Sequence, residues 1–293
     1  MGTAEPHRSS GILVMGAARA ALAMVLAVVG VAVSAGEGLS QLKLSRAQGL
    51  LPGLEWMELM ESGQPPMVAL RVDPRQFRFR VMHFRAQGLG EPLTAWQWLE
   101  MSQATAVFNA GQYYPDFSYM GLLMGGGKTM GGRPHKLFQA LFMAEPIHDG
   151  APLARIADLS QDSVDPARPG YQEVAQSFML LDRQGAIRVK RTSNSAQRTI
   201  VAEESGGWIL VLVTQGSCTL WDLAVRLREG PLQILQAMSM DGGEESQLAV
   251  KTPGFLFPPA VAQTQGMGFS RRPLPTVIAI FPRSPYQEAT LGK

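Results

Sequence analysis

The sequence predicts a single domain in which strands and helices are mixed, preceded by a hydrophobic N-terminal segment. Three observations lead there. The 293 residues are 46% hydrophobic and only 17% charged, the make-up of an ordered chain with a well-filled core. Short β-rich segments recur from residue 67 to near the C-terminus. Residues 208 to 240 read strand, helix, strand, a unit that normally closes with parallel strands.

At the N-terminus, His7 and Arg8 lead into GILVMGAARAALAMVLAVVGVAVSAG, whose apolar run from Ala20 to Val33 ends in small residues. That run is shorter than the roughly 20 residues a spanning helix needs, and it has the exit of a secretory signal. Residues 1–35 are therefore expected to be a signal peptide, or a membrane anchor if the segment is counted from Gly11. Either way the rest works in the periplasm or outside the cell. Residues 36–50 read as a linker, 51–283 as the domain and 284–293 as a tail. A net charge of +2 with scattered basic residues argues against a nucleic-acid partner. The single cysteine, Cys218, allows no internal disulfide and no multi-cysteine metal site, and the four histidines are too dispersed to form a ligand set.

Within the domain, LPGLEWMELM brings Trp56 and Leu59 to the core. MVALRV and FRFRVMHF are expected as one hairpin around Asp73-Pro74-Arg75, with Arg78 and Arg80 on its wet face. Thr94 caps a helix through TAWQWLEMSQ, where Trp96 and Trp98, two apart, cannot both face the core. Ala104 to Phe108 is a buried strand that ends at Asn109-Ala110-Gly111, which puts an amide and free backbone at a sheet edge where pockets form; an Asx-type turn is the alternative. MGGGKTMGG, 124 to 132, fails as a phosphate loop because Leu122 stands where the first glycine belongs, and it reads as a flexible loop beside the site. LFQALFMAEP is a strand, and 148 to 172 a long polar connection.

QSFMLLDRQGAI supplies another strand through Leu181 and a turn at 182 to 185. Thr199 to Ala202 and Trp208 to Thr214 are two strands, with Arg198 at their mouth. An arginine there pairs with a surface acid or forks a phosphate or carboxylate. Thr219 and Asp222 form an N-cap pair for a helix whose apolar face is Leu220, Leu223, Ala224 and Leu227.

The stretch SMDGGEESQL, 239 to 248, is the densest chemistry in the chain. A hydrophobic run, Ile234 to Met240, delivers Asp241 to the carboxyl end of a parallel strand, where α/β proteins bind ligands. Gly242 and Gly243 free the backbone, and Glu244, Glu245 and Ser246 follow at once. Crowded like charges raise one another's pKa unless something relieves them, so the turn reads as a site; a plain solvated loop is the alternative. The oxygens of Asp241, Glu244 and Glu245 also suit a divalent cation.

Taken in order, Asn109-Ala110-Gly111, QSFMLLDRQG, Arg198, the capped helix and MDGG resemble the phosphodiester glycosidase family, from about residue 50 to 283. Its best-known member uncovers mannose 6-phosphate by removing a phosphate-linked N-acetylglucosamine. The resemblance implies an α+β or mixed α/β fold, a single domain with a mixed β-sheet flanked by helices. It also implies an exported hydrolase that cleaves a sugar from a sugar-1-phosphodiester, in envelope or exopolysaccharide metabolism; no cofactor is expected. Arg198 would neutralise the phosphate, and Asp241 or Glu245 would attack the anomeric carbon or activate water. Asn109, Gly111, Gly242, Gly243 and Ser246 would bind substrate. One departure stands out: where the family reads N-L-D-G-G-G-S, this chain has Ser239, Met240, Glu244 and Glu245 at four positions, the last in place of serine. A non-catalytic periplasmic saccharide-binding or assembly module with the same fold is the competing expectation.

Overall fold

A computed structural model describes residues 41–260 and 269–283, which belong to one compact unit. The signal or anchor segment expected at 1–35 and the tail lie outside the described residues.

The chain runs β1 (Lys43–Leu51), β2 (Leu54–Met60), β3 (Met67–Val72), β4 (Phe77–His83), helix α1 (Ala95–Ser102), β5 (Ala106–Asn109), β6 (Leu123–Gly125), β7 (Lys128–Gly131), β8 (Ala140–Pro146), β9 (Ala154–Asp158) and β10 (Tyr171–Leu181). It continues through β11 (Ser195–Ala196), β12 (Thr199–Glu204), β13 (Ile209–Thr214), β14 (Cys218–Thr219), helix α2 (Leu220–Glu229), β15 (Ile234–Ser239), β16 (Leu248–Thr252), β17 (Phe255–Phe257) and β18 (Thr276–Pro282).

The expected mixed sheet is replaced by antiparallel ones. The larger orders its strands β1-β2-β3-β13-β12-β15-β10-β6-β7, with β8 and β9 branching from β10; the smaller orders them β17-β16-β5-β18-β4. The strand, helix, strand reading of 208 to 240 holds for the elements but not for their pairing. Because β12 pairs antiparallel with both β13 and β15, those two run the same way without exchanging hydrogen bonds. Asp241 therefore still follows the carboxyl end of its strand, but in an antiparallel sheet.

One core cluster joins the two sheets, drawing Leu70, Phe142 and Val211 from the larger and Phe79, Phe108 and Ile278 from the smaller. The rings of Phe79 and Phe142 meet edge to face with centroids 5.2 Å apart, a geometry favoured by the aromatic quadrupole. Helix α2 buries Leu223, Ala224 and Leu227 against the larger sheet, and α1 packs Trp98 and Leu99 with residues of the smaller. Thr94 and Gln97 close a capping box at the start of α1. As the spacing requires, Trp98 is buried and donates its indole N–H to the Leu274 carbonyl at 2.8 Å, while Trp96 is only half-buried.

Four local expectations need correction. Strands β3 and β4 do not pair: β3 lies between β2 and β13, and β4 joins β18. The turn at Asp73 carries the chain from one sheet to the other, its carboxylate accepting the Arg75 N–H. Residues 43–50, expected within a linker, belong to β1, a largely exposed strand at the sheet edge. The glycine-rich 124 to 132 segment is not a loop but the hairpin β6–β7, turned by Gly126 and Gly127 at φ of 56° and 75°. The polar connection at 148 to 172 contains β9, which pairs antiparallel with β8.

Candidate active site

The acid turn leaves β15 and is tied down by backbone bonds to two other strands' ends. Met240 donates to the Thr199 carbonyl, Asp241 to Ala110, and Gly243 to Gln197. Asn109 locks this junction. Its amide donates to the carbonyls of Ala110 and Asp241, both at 3.0 Å, and its oxygen accepts from Thr199 Oγ1 at 2.7 Å and the Gln247 N–H at 3.0 Å. Both donors and both lone pairs are used internally, and the residue is 1% exposed. The expected ligand contact by Asn109 is thus corrected: it positions Asp241 through the backbone.

Two further residues expected to bind substrate make packing contacts inside the junction. A Cβ on Gly111 would sit 2.5 Å from Tyr119 Oη, so that glycine serves close packing. Ser246 is 6% exposed and its hydroxyl bonds Thr199 Oγ1 at 2.8 Å. Gly242 and Gly243 keep a role in shaping the turn. A Cβ on Gly242 would stand 2.9 Å from the Gln197 carbonyl and 3.1 Å from Arg198 Nη1, and Gly243 has φ of 75°.

What the turn presents is a pair of carboxylates in different surroundings. Asp241 is half-buried, with Oδ1 accepting the Gly242 N–H at 2.9 Å. Burial first, and the charge of Glu245 second, push its pKa up to about 6, against the opposing pull of the Gly242 N–H and Arg198. Glu245 is held by one oxygen, Oε1, which accepts from Tyr113 Oη at 2.9 Å and faces Arg272 Nε at 3.3 Å. Burial and the Glu245 contact push the Tyr113 hydroxyl up to about 12, so it stays a donor. Glu244 points outward, its side chain 76% exposed.

Arg198 approaches from β12. Its Nε donates to the Cys218 carbonyl at 3.1 Å and its Nη2 to Asn194 at 2.8 Å, which leaves Nη1 against Gly242. Burial lowers its pKa and the nearby Asp241 charge raises it, although no ion pair joins the two among the described residues. Arg198, Asp241 and Glu245 are therefore brought together, as the sequence led one to expect. Tyr113 and Arg272 were not foreseen. Tyr113 follows the Asn-Ala-Gly turn closely, the one signal that pointed toward it.

The cation reading fails on geometry: among the described residues no group of three or more acid, histidine or cysteine side chains is placed to hold a metal. A cavity of about 480 Å³ lies next to the turn, with Gln197 and Ser246 in its wall, but Asp241, Glu245 and Arg198 are not among its lining residues.

The sequence profile of the phosphodiester glycosidase family matches residues 102–281, a span that includes every one of these site residues and leaves out strands β1 to β4. The chain belongs to that family. Phosphodiester glycosidases are enzymes, and the fold agrees with theirs. The catalytic domain of zebrafish N-acetylglucosamine-1-phosphodiester alpha-N-acetylglucosaminidase, auto-inhibited by its pro-peptide, superposes with a TM-score of 0.56 and 15% identity over 84% of this chain and 89% of that one. A hypothetical protein from Synechocystis gives 0.56 and 14% identity over 81% of this chain, which spans 64% of the other's length. At such identities the likeness is one of fold. No curated protein matches the sequence.

In this phosphodiester glycosidase two side chains from distant segments, Tyr113 and Arg272, hold Glu245.

Proposed function

We propose that the protein is an exported hydrolase that releases a sugar from a sugar-1-phosphodiester, in envelope or exopolysaccharide metabolism. The observation that carries this reading is Asp241, half-buried beside a clamped Glu245 with its pKa raised to about 6. A base works best when its pKa lies near the operating pH. A phosphate leaving group is already a stable anion and needs little protonation, so the demand falls on the nucleophile and on the charge of the phosphate.

Asp241 takes a proton from water as the water oxygen bonds to the anomeric carbon. The bond from that carbon to the phosphate oxygen breaks, and its electron pair leaves with the phosphomonoester. Glu245, held by Tyr113 and Arg272, keeps Asp241's pKa high through its charge. Arg198, whose charge lies beside Gly242, neutralises the phosphate. Export follows from the hydrophobic segment at 1–35 read as a signal or anchor.

The test is sugar release from a panel of sugar-1-phosphodiesters by purified Asp241→Asn and Arg198→Ala. Each is expected to abolish turnover, and full activity in either rejects the assignment. The acid in place of the family serine favours a second reading, a saccharide-binding module without turnover, which predicts calorimetric binding and no release by the unmodified chain.

A further inference from the structure

The cavity beside the acid turn has a wall chemistry of its own. The first turn of α1 contributes Trp96 and Gln97, the segments at the ends of β13 and before β12 contribute Gln215 and Gln197, and Ser246, Phe257 and Arg271 are also in the wall. Its volume of about 480 Å³ falls within the roughly 300–1,000 Å³ of small-molecule sites. No acid lines it.

Three of these groups lack a protein partner for their polar atoms: the side-chain amides of Gln197 and Gln215 and the indole N–H of Trp96 make no hydrogen bond among the described residues. By contrast the Gln247 amide, also in the wall, is fully used by Ala95, Glu244 and Arg272. Lys251 Nζ lies 5.8 Å from the Trp96 ring centre, which steadies the ring without engaging its N–H. Donors and acceptors that are neutral apart from the already partnered Arg271, arranged around aromatic surface, suit a ligand with many hydroxyls and apolar C–H faces.

The cavity also shares its wall with the site. Gln197 precedes Arg198, and its carbonyl receives the Gly243 N–H at 2.9 Å; Ser246 follows Glu245. A ligand held there lies one residue away from both a phosphate-neutralising arginine and the clamped acid.

We infer that this cavity is a subsite for a neutral saccharide unit, part of a glycan longer than the single sugar being released. Its connection to turnover rests on the hydrolase reading above; the binding itself does not.

The experiment uses the full chain carrying Asp241→Asn, so that nothing is consumed, and follows tryptophan fluorescence and calorimetry with chitotetraose, maltotetraose and inorganic phosphate. Saturable binding of at least one neutral tetrasaccharide is expected, weakened about tenfold by adding Trp96→Ala or Gln215→Ala. Gln215 is exposed, so its substitution leaves the fold intact if Trp96→Ala does not. Failure of both sugars to bind up to roughly 10 mM, binding of phosphate alone, or binding that survives both substitutions overturns the subsite. The two readings separate cleanly. Saccharide binding by a chain that releases no sugar from any diester sinks the hydrolase and keeps the subsite, whereas sugar release without neutral-saccharide binding does the reverse.

Discussion

Asp241→Asn should make the protein more stable at neutral pH, and by an amount that depends on pH. The carboxyl titrates near 3.8 when unperturbed and near 6 in the fold. At ~1.36 kcal/mol per pH unit, holding the ionised form in place at pH 7 costs about 3 kcal/mol. The sign follows from proton counting. Between the two pKa values the folded chain binds more protons than the unfolded one, so stability falls as pH rises through that window. The cost is absent below the unfolded pKa and complete above the folded one.

Asparagine keeps an oxygen for the Gly242 N–H and loses only a weak attraction to Arg198, so most of the cost should be relieved. For a domain of this size about 3 kcal/mol corresponds to a melting-temperature gain of roughly 6–12 °C. The assay is thermal and urea unfolding of both proteins from pH 4 to 8, read as the difference between them. Background carboxylates such as Asp73, whose contact with Arg75 lowers its pKa, affect both proteins alike and cancel in that difference. A gain near zero at pH 4 that grows to its full size by pH 7 supports the argument. A variant less stable than the parent at pH 8, or a difference flat with pH, refutes the claim that Asp241 is held against its ionisation.

Glu245→Gln removes the second-largest cause of that shift, so the Asp241 carboxyl should titrate below 6, seen by carbon NMR of labelled aspartates and as a pH-rate limb moved to lower pH; an unmoved titration would show that Glu245 does not act on Asp241. Asn109→Ala leaves the buried Gln247 N–H without its acceptor and frees the Asp241 carbonyl. Urea unfolding should show a loss on the order of 3 kcal/mol, and a loss within error of zero would remove Asn109 from its role as the knot of the junction.

The elements were legible where a local rule sufficed. Thr94 and Thr219 announce their helices by capping chemistry, and β12 and β13 by their apolar runs. Pairing was not, because neighbours in sequence need not be neighbours in a sheet. Yet one clue was available at β3 and β4. MVALRV is apolar at nearly every position, as a strand covered on both faces must be, whereas FRFRVMH alternates. Strands so different in their covering belong to different layers. No comparable clue shows β12 inserted between β13 and β15, since a helical crossover reveals direction and not what lies in the gap.

The site divides along the same line. Asp241, its glycines and Arg198 lie in stretches whose composition is odd for a loop, and that oddness is visible in the sequence. Asn109 was visible too, but its role was not: an amide at a strand end has the same chemistry whether it faces a ligand or a carbonyl, and only burial decides. Tyr113 and Arg272 belong to no motif, and Tyr113 is 132 residues from its partner Glu245.

That separation explains how an antiparallel fold builds a site usually associated with parallel sheets. In a parallel sheet the strand ends on one edge supply the catalytic groups together. Here the ends come from two sheets. Strand β5 of the smaller brings Asn109, β12 and β15 of the larger bring Arg198 and Asp241, and the Asn109 side chain bridges them by accepting from Thr199 while donating to the Asp241 carbonyl. Half-burial of Asp241 is then a consequence of where the sheets meet: the carboxylate lies at the seam, desolvated by both but still in reach of solvent. A raised pKa at that carboxylate is therefore a property of the junction, and loosening the junction at Asn109 should lower the pKa of Asp241 even though the two side chains share no bond. The same titration that reads Glu245→Gln reads this, and an Asp241 pKa unchanged in a folded Asn109→Ala would separate the seam from the chemistry.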